Sequence, residues 1–393
     1  MFTPTWGKTV GGTAKVARGL VDGLKLVVPS SKFFIVSPDT GPELESDVEC
    51  IDGKTFGSRL LFAFLALYRI RPTVIHCQGR VHQLLIGFIY KKIIDGNVKL
   101  LCSFCTQPTV RTFLPGVSVR VSQVNKLFGR IKNLISVFLL NRADLVVANS
   151  ASLAENMIAL LGPRFHRPFA VITSGVEVPE ASAADIEDFI GKYKLTGVSP
   201  IFLTVGVFSW DWKVAGILLL LDSFKEVARQ YPSARLIIVG DGPYKSLVQS
   251  KIDALSLQEQ VVLTGNLQNT FVPIAASHIY CHLALNESCS VSIIEAMVSG
   301  KPIIVSRAGG NSELITDNET GLVVEPTVQD VQAAMLRLAR DKDLSNKFGI
   351  AARLVAAERY SWRVIASQYS CFYLGATCAS GIQFVRPKER LIQ

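Results

Sequence analysis

Residues 279–297 constrain the fold of this chain most, because they combine a strand, a loop and a helix with two acidic residues at fixed places. The apolar start of this segment has the pattern of a strand, and Glu287 lies at the end of that strand. The Ser-rich residues that follow predict a helix beginning near Ser290 or Val291. The free backbone N–H groups and the positive dipole at such a helix start suit a phosphate. Glu295, about one turn into the helix, can reach a ribose lying alongside. The segment therefore predicts a nucleotide-sugar site.

The same segment resembles the E-x7-E signature of retaining glycosyltransferases of the GT-B fold, in particular their large family 4. Its two acids are Glu287 and Glu295, and the downstream segments Gly300-Lys301-Pro302 and Gly309-Gly310-Asn311-Ser312-Glu313 are also similar to that family. In the family the first acid lies by the donor sugar and the second binds the nucleotide ribose. The resemblance implies these roles here, together with transfer that retains the anomeric configuration and needs no covalent nucleophile.

Length and element order predict two domains of the α/β class. The 393 residues exceed a single typical core, and a hydrophobic content of 49% indicates a large buried surface. Apolar strands alternate with helices and end in Gly-rich turns, which predicts doubly wound sheets with ligands at the strand C-termini. Together with the resemblance, this predicts the GT-B architecture, in which two Rossmann-like domains face each other across a cleft. The predicted N-terminal, acceptor-side domain is 1–178 with a tail helix at 360–376, and the predicted C-terminal, nucleotide-sugar-binding domain is 179–359.

The resemblance also assigns residues to the donor diphosphate. Gly206 ends the first strand of the second domain, where the family has Gly-Arg followed by a Lys. Lys213 takes the Lys position, but Val207 stands where the family has Arg. Losing one phosphate cation removes several kcal/mol of transition-state stabilisation, on the order of 3 kcal/mol, unless another cation replaces it. Arg80, Arg111 and Arg307 are the candidate replacements. The other donor-side assignments are Ser290, Val291, Gly242 and Glu313. Lys213 as a surface lysine, Gly242 as a tight-turn glycine and Glu313 as a helix cap are the alternative interpretations.

The first domain carries weaker similarities on the phosphate and acceptor side. Gly11 and Gly12 form a turn into the first helix, and His76 ends a strand. Cys105 lies at a strand tip where family members often carry a His facing the acceptor, and Gln78 replaces a second family His. A purely structural role for His76 is an open alternative. The apolar strand that precedes the Gly-Gly turn in the family is almost absent, which predicts a missing or truncated first strand.

Basic charge is concentrated in residues 51–150, which hold fourteen basic and three acidic residues and a net charge of +11, against +9 for the whole chain. This half predicts an anionic partner, and because no nucleic-acid motif is present we expect a membrane surface rather than a nucleic acid. Between residues 121 and 139, apolar side chains recur at helical spacing and Lys126 and Arg130 lie opposite them. Such a helix is typical of membrane-surface binding, with packing against its own sheet as the alternative.

No residue pattern completes a metal site, so neither a metal nor another cofactor is expected. Cys102 and Cys105 have no second pair, and His278, Cys281 and His282 lie in a strand pattern. No apolar run reaches the about 18 residues that a membrane span needs, and the start lacks the layout of a signal peptide. These features predict a cytoplasmic protein that associates peripherally with the inner face of the membrane.

The sequence therefore predicts a retaining hexosyltransferase that moves a sugar from a UDP- or GDP-linked donor to an acceptor. The predicted acceptor is lipid-linked or a precursor of an envelope or surface glycan, and the predicted catalytic residues are Glu287 and Lys213. A catalytically weak homologue that binds nucleotide sugar or serves as a partner subunit is the main alternative. A sugar-nucleotide epimerase of the same fold is less favoured, because the two acids and the Gly-Gly segment together favour transfer.

Overall fold

Strands and helices alternate along the chain in the computed structural model, which describes residues 1, 12–37, 48–50, 56–79, 81–107, 114, 123–177, 181–375 and 381–387. Gly11, Arg80 and Arg111 lie outside these residues. In chain order the elements are α1 (Gly12–Val27), β1 (Ile35–Ser37), β2 (Val48–Cys50), α2 (Phe56–Ile70), β3 (Val74–Gln78), α3 (Val81–Ile93), β4 (Lys99–Phe104), α4 (Gln123–Leu140), β5 (Leu145–Ala148), α5 (Ala151–Leu161), β6 (Phe169–Val171), α6 (Ala183–Lys192), β7 (Ile201–Val205), α7 (Asp211–Gln230), β8 (Arg235–Val239), α8 (Lys245–Ala254), β9 (Val261–Gly265), α9 (Phe271–Ala276), β10 (Ile279–His282), α10 (Val291–Val298), β11 (Ile303–Ser306), a 3-10 helix (Asn311–Leu314), β12 (Leu322–Val324), α11 (Val328–Arg340), α12 (Lys342–Arg359), α13 (Trp362–Leu374) and β13 (Gln383–Val385).

These elements form two compact units. Unit 1 consists of Met1–Pro108, Arg120–Gly175 and Trp362–Gln393, and unit 2 of Thr109–Val119 and Val176–Ser361. Both units contain parallel sheets covered by helices. The predicted α/β class is therefore confirmed.

Unit 2 is built on a six-stranded parallel sheet with the order β12-β11-β10-β7-β8-β9. Its strands are short apolar runs such as Arg235–Val239, as expected for strands covered on both faces. The chain runs outward from β7 through β8 and β9, then returns to the other side of β7 to form β10, β11 and β12. The strand order thus reverses between β7 and β10. In sheets of this kind, ligands bind beyond the carboxyl ends of the strands at such a switch point.

Two hydrophobic clusters fill unit 2, one on each face of its sheet. One cluster joins the sheet to α7 and α11 through residues such as Phe224 and Met335. The other joins it to α9, α10 and α12 through residues such as Ile294 and Ala352. The long α7 and the short α10 therefore both begin at the same edge of the sheet, next to the ends of β7 and β10.

Unit 1 contains a five-stranded sheet of order β13-β6-β5-β4-β3, parallel except for β13, which runs antiparallel to β6. Helix α13 from the end of the chain packs on α1. The Trp362 indole lies so close to Gly19 and Gly175 that a Cβ at either position would overlap its ring. The absence of side chains at these two glycines lets α13 pack closely within unit 1.

A cavity of about 360 Å³ lies in unit 1 between β1 and β3. Met1 lines this cavity and pairs with the neighbouring strand, because its carbonyl accepts a hydrogen bond from the Val36 N–H at 2.8 Å. Residues 2–11, where the sequence shows almost no apolar strand, lie outside the described residues. The missing or truncated first strand therefore stays a prediction.

In the described part of the chain, no helix combines the length and the apolar character that crossing a membrane requires.

Candidate functional site

The loop after β7 brings the first predicted cation to the switch point. Gly206 follows β7 and donates its N–H to the Val239 carbonyl at 2.9 Å, which fixes the turn against β8. Helix α7 starts at Asp211, so Lys213 lies in its first turn. Val207 is half-buried in the same loop and offers no charge. Of the two family cations, only the lysine position is filled here.

Glu287 forms the centre of the site. Its Oε1 lies 2.6 Å from Lys213 Nζ, and its Oε2 lies 2.7 Å from His282 Nε2 at the end of β10. The three side chains are 16%, 17% and 4% exposed, respectively. Burial raises the pKa of the Glu287 carboxyl, but the Lys213 ammonium and the hydrogen bond with His282 outweigh burial and hold that pKa well below its usual range. Glu287 is therefore a carboxylate at any physiological pH.

A glycine-rich loop holds the backbone around Glu287. The Gly310 N–H donates to the Glu287 carbonyl at 2.8 Å. Gly309 has φ +67°, and a Cβ there would overlap the Glu287 carbonyl oxygen. Only glycine can occupy this position without moving the acid. The Gly-Gly segment thus sets the position of Glu287.

Helix α10 begins at Val291, as the sequence predicts, with Ser290 at the N-cap. The Ser290 hydroxyl does not cap the helix but lies 2.9 Å from Ser292 Oγ. The Ser290 N–H instead donates to Asn311 Oδ1 at 2.8 Å. Asn311 is fully buried, and its Nδ2 has no hydrogen-bond partner within the described residues. An amide N–H donor is therefore available close to the helix start.

Glu295 lies inside α10 and is 3% exposed. Its Oε2 accepts a hydrogen bond from Thr270 Oγ1 at 2.8 Å, just before α9. A buried carboxylate held in this way keeps one position, which suits an acceptor for two vicinal hydroxyls.

Three other donor-side motifs differ in what they do. Gly242 has φ +151°, and a Cβ there would lie 2.7 Å from the Phe208 carbonyl carbon, so this glycine lets the loops after β7 and β8 pack closely. Glu313 is exposed in the 3-10 helix. Lys301 is structural, because its Nζ donates to the carbonyls of Ala275 and Ser277 at 2.9 and 2.7 Å. Burial lowers the pKa of Lys301 to about 8.

The predicted residues of unit 1 lie in a separate group. His76 is buried in β3, with Nδ1 2.6 Å from Tyr373 Oη and Nε2 2.8 Å from Ser103 Oγ. Burial and the nearby Met1 amino group lower the pKa of His76 to about 3. Burial raises the pKa of the Cys105 thiol to about 11, so it is protonated at neutral pH. Gly12 is the first residue of α1. Acceptor roles for His76 and Cys105 stay predictions.

The structure thus brings Lys213, Glu287, Ser290 and Glu295 to one edge of unit 2. Sequence reasoning missed Thr270 and Asn311, and it considered His282 only as a metal ligand. The sequence signal for a site role of His282 was its place at the end of β10, where strand alternation puts Tyr280 and His282 on the same face of the sheet. In the parts of the chain that are described, no group of three His, Cys, Asp or Glu side chains is placed to hold a metal ion.

Comparison with protein families and curated proteins gives consistent results. Residues 185–355 match the family described as Glycosyl transferases group 1. The chain is 23% identical over 301 residues to N-acetyl-alpha-D-glucosaminyl L-malate synthase of Bacillus anthracis, covering 76% of this chain and 74% of that protein. It is 26% identical over 247 residues to sulfoquinovosyl transferase SQD2 of Arabidopsis thaliana, covering 59% of this chain and 44% of that protein. It is 27% identical over 212 residues to phosphatidyl-myo-inositol mannosyltransferase of Mycobacterium tuberculosis, covering 52% of this chain and 55% of that protein. The matches thus span about three quarters of the first relative and about half of the other two.

Solved structures resemble the chain over nearly its whole length. Anabaena Alr3699/HepE in complex with UDP matches with a TM-score of 0.72 and 20% identity, covering 94% of this chain and 98% of that chain. Sucrose-phosphate synthase from Thermosynechococcus elongatus matches with a TM-score of 0.74 and 18% identity, covering 95% and 98%. At this identity the likeness establishes the fold, and the predicted GT-B fold class is confirmed.

Proposed function

The chain belongs, through residues 185–355, to the glycosyl transferases group 1 family and is a glycosyltransferase. From that premise we propose a more specific reaction: the chain transfers a sugar from a UDP- or GDP-linked donor to an acceptor, with retention of configuration. The observation that carries the proposal is the meeting of Lys213 and Glu287 beside the start of α10. A cation, a carboxylate and a helix N-terminus at a switch point match the diphosphate and sugar of such a donor. The complexes of Anabaena Alr3699/HepE with UDP and UDP-glucose support a donor of this chemical class.

Each residue has a proposed role in this reaction. The donor diphosphate lies at the N-terminus of α10, where the Val291 backbone N–H, the Asn311 side-chain N–H and the Ser290 hydroxyl serve as hydrogen-bond donors. Glu295, held by Thr270, accepts hydrogen bonds from the ribose hydroxyls. Because the bond between sugar and phosphate breaks as positive charge builds on the sugar, the leaving diphosphate needs electrostatic stabilisation.

Lys213 supplies that stabilisation, and for this it turns from Glu287 to the diphosphate. Glu287 then orients the hydroxyls of the donor sugar. The acceptor attacks the same face of the sugar from which the diphosphate leaves, which retains the configuration without a covalent intermediate on the protein.

One observation favours a second candidate, a catalytically weak homologue that binds nucleotide sugar. Lys213 is engaged with Glu287, and Val207 stands in place of the second cation. Of the replacements considered, Arg307 is engaged elsewhere, because its Nε donates to Glu325 Oε1 at 2.8 Å. The weak homologue predicts binding with little or no transfer.

Two measurements separate these candidates. Ligand-observed NMR with a panel of UDP- and GDP-sugars identifies the donor, and radiolabelled-sugar transfer to lipid and small-molecule acceptors measures turnover. Binding with transfer supports the enzyme, and binding without transfer supports the weak homologue. Failure of every nucleotide sugar to bind would refute both.

We further propose that unit 1 docks on an anionic membrane and that the acceptor is lipid-linked. The support comes from α4, where Ile131, Leu134, Ile135 and Phe138 are 45–49% exposed on one side of the helix. The alternative, packing of this face against the sheet of unit 1, does not account for these four residues. The side chains of residues 123–130 lie outside the described ones, so the roles of Lys126 and Arg130 stay predictions.

The neighbouring helices extend this apolar face. Phe88 of α3 packs edge-to-face on Phe138, at 5.6 Å between ring centroids. Ile89 and Ile93 of α3 are exposed, as are Leu61 and Leu65 of α2, which packs on α3. Basic side chains border the face: the Arg142 guanidinium lies 3.7 Å from the Phe138 ring centroid, and Lys92 lies 6.0 Å from that of Phe88. Exposed apolar side chains with a basic rim fit an anionic lipid surface. The relative named phosphatidyl-myo-inositol mannosyltransferase supports a lipid acceptor.

Liposome co-sedimentation tests the membrane proposal. We expect the native chain to pellet with phosphatidylglycerol vesicles at low salt and to be released as salt rises. Leu134→Glu/Ile135→Glu should abolish pelleting. Ile350→Glu/Leu354→Glu changes two apolar residues of α12 in unit 2 that are even more exposed, at 64% and 67%, and should leave pelleting unchanged. Equal pelleting of the native chain and the α4 variant would exclude this surface.

A further inference from the structure

Four buried side-chain atoms have no hydrogen-bond partner in the described part of the chain, and three of them lie where strands of unit 1 end. Asn149 follows β5 directly, Ser174 lies three residues after β6, and Gln83 lies in the first turn of the helix after β3. These three residues are only 2–6% exposed. A buried polar atom without a partner is unfavourable, and native proteins contain few of them. Their concentration at one edge of one sheet therefore indicates a place where a ligand supplies the missing partners.

The order and register of the strands bring Asn149 and Ser174 together. Strands β3, β4, β5 and β6 are adjacent in the sheet and run in the same direction. Ala148, the last residue of β5, lies opposite Val171, the last residue of β6. The two chain segments that follow thus leave the sheet at the same edge. In parallel sheets this carboxyl edge is where ligands bind.

Asn149 and Ser174 line one pocket at this edge, below side chains of α1 and α13. The other polar residues of its lining also lie at or just after strand ends: Gln78, Ser103, Cys105 and Thr173. The pocket has a volume of about 10 Å³, which is room for one water-sized group. Thr173 and Val16 in its lining are partly exposed, so solvent reaches this lining.

The described lining of the pocket carries no charged side chain. Burial raises the pKa of the Cys105 thiol to about 11, and it raises the pKa of the Tyr369 hydroxyl well above its usual value. Both groups are therefore neutral at physiological pH. An anion would find no cation to pair with here, and a cation would find no carboxylate. The lining therefore suits a neutral ligand.

The two oxygens without partners accept and donate in a complementary way. Asn149 Nδ2 donates to the Cys105 carbonyl at 3.4 Å, which leaves Asn149 Oδ1 as an acceptor. The Ser174 hydroxyl has one hydrogen to donate. A ligand hydroxyl carries one hydrogen and two lone pairs, so it can donate to Asn149 Oδ1 while it accepts from Ser174 Oγ. A hydroxyl group is also the size of the water-sized group that the pocket admits.

We propose that this pocket of unit 1 binds a hydroxyl group of a neutral, polyhydroxylated ligand, a sugar or a polyol, and that this ligand is the acceptor of sugar transfer. The acceptor role rests on the proposed function, whereas the pocket involves none of the donor residues of unit 2. Asn149 and Ser174 are then binding residues that hold the acceptor. A permanently bound water has the same hydrogen-bonding capacity as a hydroxyl, and the experiment must separate the two.

The thermal stability of Ser174→Ala makes that separation. If the Ser174 hydroxyl has no partner in the free protein, its removal should leave the Tm unchanged or raise it, because a buried unpaired hydroxyl is unfavourable. If a water holds the hydroxyl permanently, the Tm should fall. We expect a Tm equal to or above that of the native chain.

Saturation-transfer NMR at millimolar concentrations measures binding of the two sources of this chemistry, methyl α-D-glucopyranoside as a sugar and myo-inositol as a polyol. We expect at least one of them to bind the native chain, and its Kd to rise about five- to tenfold in Ser174→Ala. Inorganic phosphate, the anionic probe, should not compete. Ser370→Ala is the matched control, because Ser370 is a buried serine of α13 in the same unit and its Oγ donates to the Ser367 carbonyl at 2.9 Å. That variant should bind the ligand as the native chain does.

Radiolabelled-sugar transfer tests the acceptor role, and UDP binding on the same samples reports the donor site separately. The ligand that binds should receive sugar, and Ser174→Ala should reduce this transfer while leaving the Kd for UDP unchanged. Absence of binding for both probes, competition by phosphate, an unchanged Kd in Ser174→Ala, or a lower Tm of that variant would overturn the inference. A ligand that binds but receives no sugar would refute the acceptor role.

The two proposals fail in different ways. If UDP or GDP binds and neither methyl α-D-glucopyranoside nor myo-inositol does, the inference falls and the proposed function stands. If one of these ligands binds and neither nucleotide does, the proposed function and the acceptor role fall, whereas the hydroxyl pocket stands.

Discussion

Replacing Glu287 by glutamine should strengthen nucleotide binding while it stops transfer. In the free protein Lys213 is held by Glu287 at 2.6 Å, and this contact must break before Lys213 reaches a diphosphate. A hydrogen bond between charged groups contributes about 1.5–3 kcal/mol, and one to a neutral amide about 1 kcal/mol. Glu287→Gln therefore lowers the free-energy cost of releasing Lys213 from residue 287 by about 1–2 kcal/mol. We expect the Kd for UDP to fall about 5- to 30-fold.

Transfer should respond in the opposite direction. The amide cannot supply the negative charge that faces the developing positive charge on the sugar. We expect the rate of transfer to fall about 100- to 1000-fold. The amide preserves the shape of the side chain and can still bond both Lys213 and His282, so the fold should be retained.

Calorimetry with UDP and radiolabelled-sugar transfer measure the two effects on the same preparations, and thermal unfolding checks the fold. Glu325→Gln, which removes an exposed ion pair on the same unit, should change neither quantity. Weaker UDP binding by Glu287→Gln at an unchanged Tm would refute the argument, because it would mean that the acid assists the nucleotide rather than restraining Lys213.

Four further predictions concern other parts of the chain. Glu295→Ala should weaken UDP binding at least about tenfold by calorimetry, since it removes the proposed ribose acceptor; unchanged affinity would contradict that role. Val207→Arg should raise turnover if the missing cation limits the rate, and a lower turnover at unchanged Tm would argue against this. Gly309→Ala should destabilise the fold by about 1–3 kcal/mol in denaturant titrations, because a Cβ there overlaps the Glu287 carbonyl at φ +67°. Stability should fall by about 2 kcal/mol between pH 7 and pH 5, because His76 has a pKa of about 3 when folded and about 6.5 when unfolded, so the unfolded chain binds more protons in this window. His76→Gln should flatten that pH dependence of the unfolding free energy.

The departures from the family pattern have structural consequences of different kinds. Val207 leaves one cation position without charge, so in the proposed reaction Lys213 and the N–H donors stabilise the diphosphate. Cys105 has a thiol that is protonated at neutral pH, and it cannot act as an imidazole does. His76 has both ring nitrogens engaged within unit 1, which favours its structural interpretation.

Local sequence determined the elements that form the site. The apolar run before Glu287 specifies a strand, and the Ser-rich residues after it specify a helix that starts at Val291. The strand assignment depends on neighbouring residues only, because strand alternation acts over a few positions. The helix starts where the sequence predicts, but without a serine cap, since the Ser290 hydroxyl contacts Ser292 instead. The position of Glu295, about one turn into the helix, was therefore predictable from spacing. The prediction that Glu287 ends the strand was wrong, because β10 ends at His282 and Glu287 lies in the loop that follows.

The tertiary structure decided which side chains meet. Lys213 reaches Glu287 only because β7 and β10 are neighbours in the sheet, although they are far apart along the chain. Asn311 reaches Ser290 and Thr270 reaches Glu295 in the same way, through loops that converge at one sheet edge. No local pattern encodes such contacts, because they depend on strand order and on how closely glycines let loops approach. The sequence therefore supplied the acids, the cation and the helix start, whereas packing placed Lys213 on Glu287 and made His282 its second partner.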